Sequence, residues 1–317
     1  MKILITGATG FIGKTLTKTM LNVKCNISIV VRKKINTSEN VKQFVIGDFG
    51  NEPDFYDALN GVDCVIHLAG KAHIVDENKS KTLNDFRKIN TDLTLDLAKQ
   101  AVKSGVKRLI FLSSIRVNGN QNFKNNQAFL ETDIPSPQED YAVSKYEAEQ
   151  GLLALAEKTS LEVVIIRPPL VYGANAPGNF ARLINWIDCK YPAPLPLGSV
   201  NNSRSFIALD NLIDFIILCA THKNAKNEIF VIADDESVST TQLLNKLAQA
   251  FDKKVFLIPI PVKLMIFMAT LIGKKADAIR LFSSLKVDNS KAKNLLDWRP
   301  ITNMNKVFKE ISSEKNI

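Results

Sequence analysis

Short apolar runs recur along the first half of the chain, and helical patterns separate them. The runs read KILIT, ISIVV, KQFVI, DCVIHLA, RLIFLSS and EVVIIRP, and most are rich in β-branched residues, as buried strands are. Between two of these runs, Leu93, Leu97 and Ala101 repeat at helical spacing before Gly105. This alternation predicts an α/β fold in which helices join parallel strands and cover both faces of the sheet.

The pattern changes near residue 170, after which prolines and loops become more frequent. Further helical patterns lie near 210–222 and 239–251. We therefore expect two portions: residues 1–170 contain the parallel sheet, and residues 171–317 form a smaller, substrate-binding portion at the strand ends, where open α/β sheets bind ligands. Some segments of the second portion are expected to return to the first.

Composition and charge narrow the class of partner. The 317 residues carry a formal net charge of +9, and the basic residues are scattered among acidic ones rather than clustered with aromatics. This favours phosphorylated small molecules over nucleic acid. Four separated cysteines indicate reduced thiols and no metal site. Because the N-terminus enters a strand pattern without a secretory signal, we expect a cytoplasmic protein.

The longest apolar stretch spans residues 255–273 and raises the question of a membrane helix. Pro259, Pro261 and Lys263 interrupt its first half, which leaves fewer clean residues than the roughly 20 that a span needs. We expect a helix covered by the substrate-binding portion. Peripheral contact with a membrane is the alternative.

The segment LITGATGFIG places Gly7, Gly10 and Gly13 after the first strand and at the start of the next helix. Glycine is needed there because the backbone must turn tightly and approach a pyrophosphate, which the helix N-terminus attracts. A glycine triplet alone is weak evidence, but this one has the strand before it and the helix after it that dinucleotide binding requires. The segment predicts a dinucleotide cofactor.

The residues after the second and later strands bear on the choice of cofactor. Arg32, Lys33 and Lys34 follow the second strand, where an acidic residue would bind a free ribose 2′-hydroxyl. They suit a 2′-phosphate, so NADP(H) is favoured, with NAD(H) as the alternative. Asp48 follows the third strand and is a candidate for the adenine amino group. The segment HLAG, residues 67–70, would let the nicotinamide side approach the backbone.

Candidate acid–base chemistry lies in the segment DYAVSKYEAEQ. Tyr141 and Lys145 are one helical turn apart and share a face. A tyrosine hydroxyl with a pKa near ~10 is a poor acid–base group at neutral pH unless a cation stabilises its anion. Lys145 is that candidate cation, and Ser114, at the end of the fifth strand, is placed to hold a substrate oxygen beside the phenol.

TGATGFIG, HLAG, SSIRVNG, YAVSK and RPPLVYG occur in an order and spacing that resembles the extended short-chain dehydrogenase/reductase family, and the likeness covers nearly the whole chain. It implies a Rossmann-type doubly wound parallel sheet, with residues 1–170 as the dinucleotide-binding domain. It also implies that Tyr141 is the catalytic acid, Lys145 its pKa modifier and cofactor-ribose ligand, and Ser114 the catalytic hydroxyl. The implied cofactor contacts are Gly7, Gly10, Phe11, Ile12, Gly13, Arg32, Asp48, Phe49, Leu68, Ala69, Gly70, Tyr141, Lys145 and Pro168.

The later segments are most similar to bacterial reductases that form UDP-N-acetylquinovosamine from a UDP-4-keto-6-deoxy sugar. By that likeness, Ser114, Asn179, Arg204 and Arg280 contact the UDP-sugar, and arginine suits phosphate. Asn118 stands where the family usually has tyrosine, which puts the shape of the substrate side in question. Helices near 90–104 and 140–158 resemble those of a family homodimer.

Several functions share this framework. The expectation is an NADP(H)-dependent 4-ketoreductase that acts on a UDP-sugar for bacterial surface polysaccharide. The first alternative is a UDP-sugar 4-epimerase with tightly bound NAD, and the second is a non-catalytic NADP(H) sensor. A dehydratase is disfavoured because Ile115 and Arg116 replace the Asp-Glu pair typical of that reaction.

Overall fold

The computed structural model describes residues 1–22, 25–47, 53–71, 82–122, 127–189 and 192–315. Within them, a seven-stranded parallel sheet has the order β3-β2-β1-β4-β5-β6-β9. Its strands are β1 Lys2–Thr6, β2 Asn26–Val31, β3 Val41–Val45, β4 Cys64–His67, β5 Arg108–Leu112, β6 Glu162–Arg167 and β9 Glu228–Val231. The six apolar runs at the start of the chain are therefore confirmed as strands, and the doubly wound α/β fold is confirmed.

The central strands are buried because helices cover both faces of the sheet. Leu4, Val65 and Leu109 belong to one apolar core, whereas Ile3 and Ile5 belong to the other, so alternate residues of β1 serve opposite faces. The strand order reverses between β1 and β4, and ligands of open α/β sheets bind at such a reversal, beside the carboxyl ends of the strands.

The helices of the described residues follow the patterns in the sequence. They are α1 Phe11–Met20, α2 Tyr56–Leu59, α3 Leu83–Arg87, α4 Leu93–Lys103, α5 Asp140–Ala156, α6 Asn179–Asp188, α7 Leu209–Thr221, α8 Thr240–Ala250, α9 Val262–Leu271, α10 Lys275–Phe282, α11 Ser290–Leu296 and α12 Met304–Lys315. The sequence predicted α4, α7 and α8. A π-helical segment, Lys88–Asp92, precedes α4 and was not foreseen.

A three-stranded sheet stands beside the large one, with β7 Leu170–Tyr172, β8 Arg204–Ala208 and β10 Ser237–Val238 in the order β10-β8-β7. Aromatic residues of α6, β7 and α12 pack in its core. The Tyr172 hydroxyl donates to the Asp234 carboxylate at 2.6 Å, and both side chains are buried. The chain returns to the large sheet at β9, between β8 and β10. A division at residue 170 stays a prediction.

The apolar stretch 255–273 departs from expectation. It forms a short helix, α9, but the described part of the chain leaves much of that helix uncovered, with Leu264, Phe267, Met268 and Leu271 exposed. The prediction of a covered helix is therefore wrong, because α9 packs extensively only against α10 among the described elements. Among the described residues, no helix is long and apolar enough to cross a membrane.

Candidate active site

The glycine loop after β1 forms a tight turn against the loop after β4. Gly7 has a φ of +72°, and a Cβ there would lie 2.6 Å from the backbone nitrogen of Ala69. The Gly10 amide donates to the Gly7 carbonyl at 3.0 Å, and Gly10 caps α1 without a side-chain hydrogen bond. The first amides of α1 are thus not occupied by a capping side chain, and its first turn holds no acidic residue. This arrangement suits a pyrophosphate.

A second feature also suits a bound dinucleotide. Ser113 follows β5, and its amide donates to the Ile166 carbonyl at 2.8 Å. Its hydroxyl is buried and has no hydrogen-bond partner among the described residues. Buried hydroxyls normally have partners, so an unpaired one beside the strand ends is available to an atom of a bound ligand. Together with the glycine turn, this shows that the residues present fit the cofactor.

The structure places the other cofactor candidates around the same strand ends. Phe11 and Ile12 begin α1 and are partly buried, and exposed Arg32 directly follows β2. Asp48 and Phe49 lie outside the described residues. Pro168 follows β6, and its carbonyl accepts from the Ile115 amide at 3.0 Å, which joins it to the segment after Ser114.

The loop after β4 is fixed by polar side chains that sequence reasoning did not single out. Asn90, in the π-helical segment, accepts from the Lys71 amide at 2.8 Å and donates to the Ser144 hydroxyl at 3.0 Å. A Cβ at Gly70 would lie 3.2 Å from Asn90 Oδ1 and 3.1 Å from Lys145 Nζ. Asn90 therefore ties the loop of residues 68–71 to the catalytic helix, and π-helical turns often occur at functional sites.

His67, the first residue of HLAG, has a supporting role. Its ring nitrogens lie 2.6 Å from Thr6 Oγ1 and 2.9 Å from Thr94 Oγ1. Burial and the nearby charge of Lys145 lower its pKa to about 3, so the imidazole is neutral at physiological pH. The Thr6 hydroxyl also accepts from the Ala69 amide at 3.3 Å, so His67 helps to hold β1, β4 and α4 in register.

Ser114 and Tyr141 meet at the carboxyl end of the sheet. Ser114 caps a single 3₁₀ turn, where its hydroxyl accepts from the Arg116 amide at 3.2 Å. Tyr141 lies in the first turn of α5, near Ser114, whose side chain acts to lower the pKa of the phenol. The two residues are 27 positions apart in the chain, and the structure brings their hydroxyls together as the sequence predicted.

Lys145 lies one turn along α5 and is buried. Its ammonium donates to the Leu112 carbonyl at 2.9 Å and lies 4.4 Å from the centroid of the Phe111 ring. Burial lowers its pKa to about 8, which the Glu149 carboxylate partly opposes. A buried amine with a pKa near neutrality is typical of active sites.

Arg116 affects the pKa of the Tyr141 phenol, a role that the sequence predicted for Lys145. The pKa of Tyr141 is raised to about 12, mainly by burial and also by the charge of Glu139, although Ser114 and the charge of Arg116 act to lower it. Arg116 therefore acts as a cation that favours the phenolate. The role of Lys145 as a modifier of this pKa stays a prediction.

Asn118, which stands where the family usually has tyrosine, is held by two polar partners. It is buried, accepts from Arg167 Nη1 at 3.0 Å and donates to the Leu130 carbonyl at 2.8 Å. Arg167 in turn pairs with Glu149 of α5, with Nε 3.0 Å from Oε1. The asparagine is thus part of a buried network behind the catalytic helix.

Three arginines lie close together beside Tyr141. Burial, together with the charges of Arg116 and Arg280, lowers the pKa of Arg204 to about 10. Arg204 donates to the Arg280 carbonyl at 2.8 Å, while Arg280 and Arg116 lie 3.3 and 3.7 Å from Glu139. Such a concentration of guanidinium groups suits a diphosphate.

The structure brings Arg204 and Arg280 together as predicted and adds Arg116, which the sequence reasoning considered only as a departure from the dehydratase pattern. Asn179 is the exposed first residue of α6, at its N-terminus. The segment SSIRVNG carried a usable signal, because an arginine beside a catalytic hydroxyl is an obvious anion ligand. Asn90 had no comparable local signal.

Comparison with known proteins agrees with this site. Residues 3–233 match the profile of the NAD dependent epimerase/dehydratase family. The chain is similar to a UDP-glucose 4-epimerase of Vibrio cholerae, at 39% identity over 310 residues, which cover 97% of this chain and 93% of that protein. It is also similar to the N-acetyl-α-D-glucosaminyl-diphospho-ditrans,octacis-undecaprenol 4-epimerase of Escherichia coli O157:H7, at 28% identity, covering 80% of this chain and 73% of that protein.

Solved structures share the fold. The UDP-N-acetylglucosamine 4-epimerase of Bacillus cereus superposes with a TM-score of 0.79 at 23% identity and 99% coverage of each chain. The UDP-glucuronic acid 4-epimerase of Bacillus cereus, in complex with NAD, gives 0.79 at 22% identity and 99% coverage of each chain. The chain belongs to the NAD-dependent epimerase/dehydratase family and is an enzyme, as its extended short-chain dehydrogenase/reductase motifs predicted.

Proposed function

We propose that this enzyme interconverts the two configurations at C4 of a UDP-linked hexose, through a 4-keto sugar and with NAD retained in the site. The main supporting observation is that Ser114 and Tyr141 lie together at the strand ends, with buried Lys145 one turn further along the same helix. Support also comes from the 4-epimerase of Vibrio cholerae, which matches nearly the whole chain. The expected 4-ketoreductase thereby becomes the second candidate.

The roles of the residues follow from their environment. A dinucleotide held by the glycine loop would supply and take back the hydride at C4. Tyr141 carries the proton of the C4 oxygen: its pKa of about 12 keeps the phenol protonated at neutral pH, the form that donates to a developing alkoxide. In the reverse step, Ser114 and Arg116 favour the phenolate that accepts the proton. Ser114 also orients the C4 oxygen, and Lys145 holds the nicotinamide ribose.

The arginine cluster holds the diphosphate. The positive charges of the three arginines, Arg116, Arg204 and Arg280, repel one another. Glu139 pairs with both Arg116 and Arg280. A diphosphate relieves that repulsion and accepts guanidinium hydrogen bonds. The names of both curated relatives above contain a sugar joined to a diphosphate, which agrees with this assignment. Asn179, at the start of α6, is assigned to the same UDP portion.

Arg32 favours the second candidate, an NADPH-dependent 4-ketoreductase. It follows β2 and is exposed, where it can meet a 2′-phosphate, and no acidic residue stands beside it for a free 2′-hydroxyl. Such a reductase consumes one NADPH for each sugar, whereas an epimerase consumes none.

The experiment follows from that difference. The purified chain is incubated with UDP-glucose, UDP-galactose and their N-acetyl counterparts without added dinucleotide, and separately with UDP-4-keto-6-deoxy sugars and NADPH. Interconversion without added dinucleotide supports the epimerase. NADPH oxidation that depends on the keto sugar, without interconversion, supports the reductase. Inactivity in both series would contradict a C4 reaction on UDP-sugars.

A further inference from the structure

The hairpin formed by α9 and α10, residues 262–282, presents an uncovered apolar face. The exposed apolar residues of α9 are spaced at i, i+3, i+4 and i+7, so they lie on one side of the helix. Their exposed fractions are 49% for Leu264, 59% for Phe267, 45% for Met268 and 71% for Leu271. Of the 16 large apolar residues exposed in the described parts of the chain, eight lie between Phe256 and Leu281. Such a concentration marks an interaction surface.

The hairpin is an ordered element, because hydrogen bonds hold both of its ends to the rest of the protein. Before it, the Ile258 amide donates to the Leu195 carbonyl at 2.8 Å. At its C-terminal end, Asn202 Nδ2 donates to the Leu281 carbonyl at 3.1 Å. At the turn between the helices, Gly273 has a φ of +74°, and the Lys274 amide caps α9 by donating to Ala269 at 2.8 Å. The apolar face is therefore displayed by an ordered element.

Charge distinguishes between possible occupants of this face. The hairpin carries Lys263, Lys274, Lys275 and Arg280 against a single acid, Asp277, and the three lysines are exposed. A symmetric contact with a second copy would bring two surfaces with the same excess of positive charge together, which costs free energy. An anionic lipid surface instead attracts the lysines while its acyl region accepts the apolar side chains.

We propose that the α9–α10 hairpin docks this enzyme on the surface of an anionic bilayer. Phe267, Leu271 and their neighbours on the same face enter the boundary between headgroups and acyl chains, and Lys274 and Lys275 contact lipid phosphates. Docking brings the active site next to the bilayer, because Arg280 of α10 lies 3.3 Å from Glu139, two residues before Tyr141. The proposal does not depend on which C4 reaction the site performs.

The test is sedimentation of the full chain with vesicles of phosphatidylcholine alone or mixed with phosphatidylglycerol. We expect the protein to pellet with the mixed vesicles and to bind neutral vesicles about tenfold more weakly or worse. Phe267→Ser/Leu271→Ser and Lys274→Glu/Lys275→Glu should each lose binding. Ile301→Ser removes another exposed apolar side chain, remote in sequence from the hairpin, and should pellet like the wild type.

The same preparations are assayed on soluble UDP-sugars, since these hairpin residues lie outside the catalytic group. Variants that keep activity but lose vesicle binding support docking, and vesicle binding by a protein inactive on UDP-sugars would refute only the proposed function. Wild-type protein that stays in the supernatant, or a Phe267→Ser/Leu271→Ser variant that pellets equally well, would overturn the docking proposal. So would a wild-type dimer that this variant converts to monomers, since a second copy would then cover the face.

Discussion

Lys145 of α5 donates a hydrogen bond from its ammonium to the carbonyl oxygen of Leu112, the last residue of β5, at 2.9 Å. Ser114 follows Leu112 by two residues, so this bond fixes the catalytic helix against the strand end that carries the catalytic serine. The buried Lys145 ammonium thus helps to keep Ser114 and Tyr141 next to each other. Lys145 thereby positions the site, and because an ammonium has three donors, it can keep this bond and also donate to a cofactor ribose.

The first prediction concerns the phenol. Tyr141→Phe removes the proton carrier but keeps the ring, so kcat should fall by about 10²–10⁴-fold. Binding of the dinucleotide and of UDP, measured by calorimetry, should stay near wild type because the glycine loop and the arginines are untouched. Tyr146→Phe, on the same helix but outside the proposed catalytic group, is the matched control and should keep full activity.

A second prediction concerns the stability cost of Lys145. Its pKa of about 8 lies below the ordinary 10.5, so the folded state loses this proton before the unfolded state does. Below pH 8 the full cost of burying the charge is present, and between pH 8 and 10.5 the wild type gains stability as the pH rises. Lys145→Met should therefore raise the free energy of unfolding at pH 7 by about 1–3 kcal/mol while abolishing activity.

That prediction is checked by denaturant unfolding of the cofactor-free protein at pH 7 and pH 10. The advantage of Lys145→Met over the wild type should shrink at the higher pH. A variant that is less stable than the wild type at pH 7 would show that the hydrogen bond to Leu112 outweighs the cost of burial.

A third prediction compares two carboxylates on α5. Glu149 is buried with Arg167, whereas Glu147 pairs with the more exposed Arg87. Glu149→Gln leaves a buried guanidinium without its counter-charge and should cost about 3–5 kcal/mol of unfolding free energy. Glu147→Gln, the matched control, should cost less than about 1 kcal/mol. Equal effects in urea unfolding would contradict the buried network of Arg167, Glu149 and Asn118.

The fourth prediction addresses cofactor choice through Arg32. Arg32→Asp replaces a group that suits a 2′-phosphate with one that accepts from a 2′-hydroxyl, so the ratio of NADPH to NADH affinity should fall by about tenfold or more. Lys226→Asp makes the same charge change at another exposed site and should leave the ratio unchanged. An unaltered ratio in Arg32→Asp, measured by fluorescence titration, would remove Arg32 from the ribose site.

Much of the fold could be predicted from the sequence because local rules and tertiary structure agree there. The run KILIT becomes β1, and the glycines of TGATGFIG make the tight turn that their spacing indicates. Tyr141 and Ser114 were found for a similar reason: strand ends and helix starts meet at one edge of a parallel sheet, so residues 27 positions apart become neighbours.

Other parts depend on contacts that no local pattern contains. Asn90 owes its importance to a π-helical turn and to partners in two other segments. Arg116 acts on Tyr141 because a 3₁₀ turn places it there, and Asn118 accepts a hydrogen bond from buried Arg167. The helix α9 is the clearest example. Its hydrophobic sequence predicts that its apolar face is buried, but does not show whether another part of this protein covers that face. The predicted homodimer remains untested.

The most direct measurement for the central claim uses UDP-glucose and UDP-galactose deuterated at C4, without added dinucleotide. If the hydrogen at C4 leaves as hydride and returns within the same site, the epimerised product should keep its deuterium in ordinary water. Tyr141→Phe should form the same product at least about 10²-fold more slowly. Loss of the deuterium to solvent, or epimerisation at an undiminished rate without the phenol, would contradict the proposed C4 chemistry of Tyr141, Ser114 and the retained cofactor.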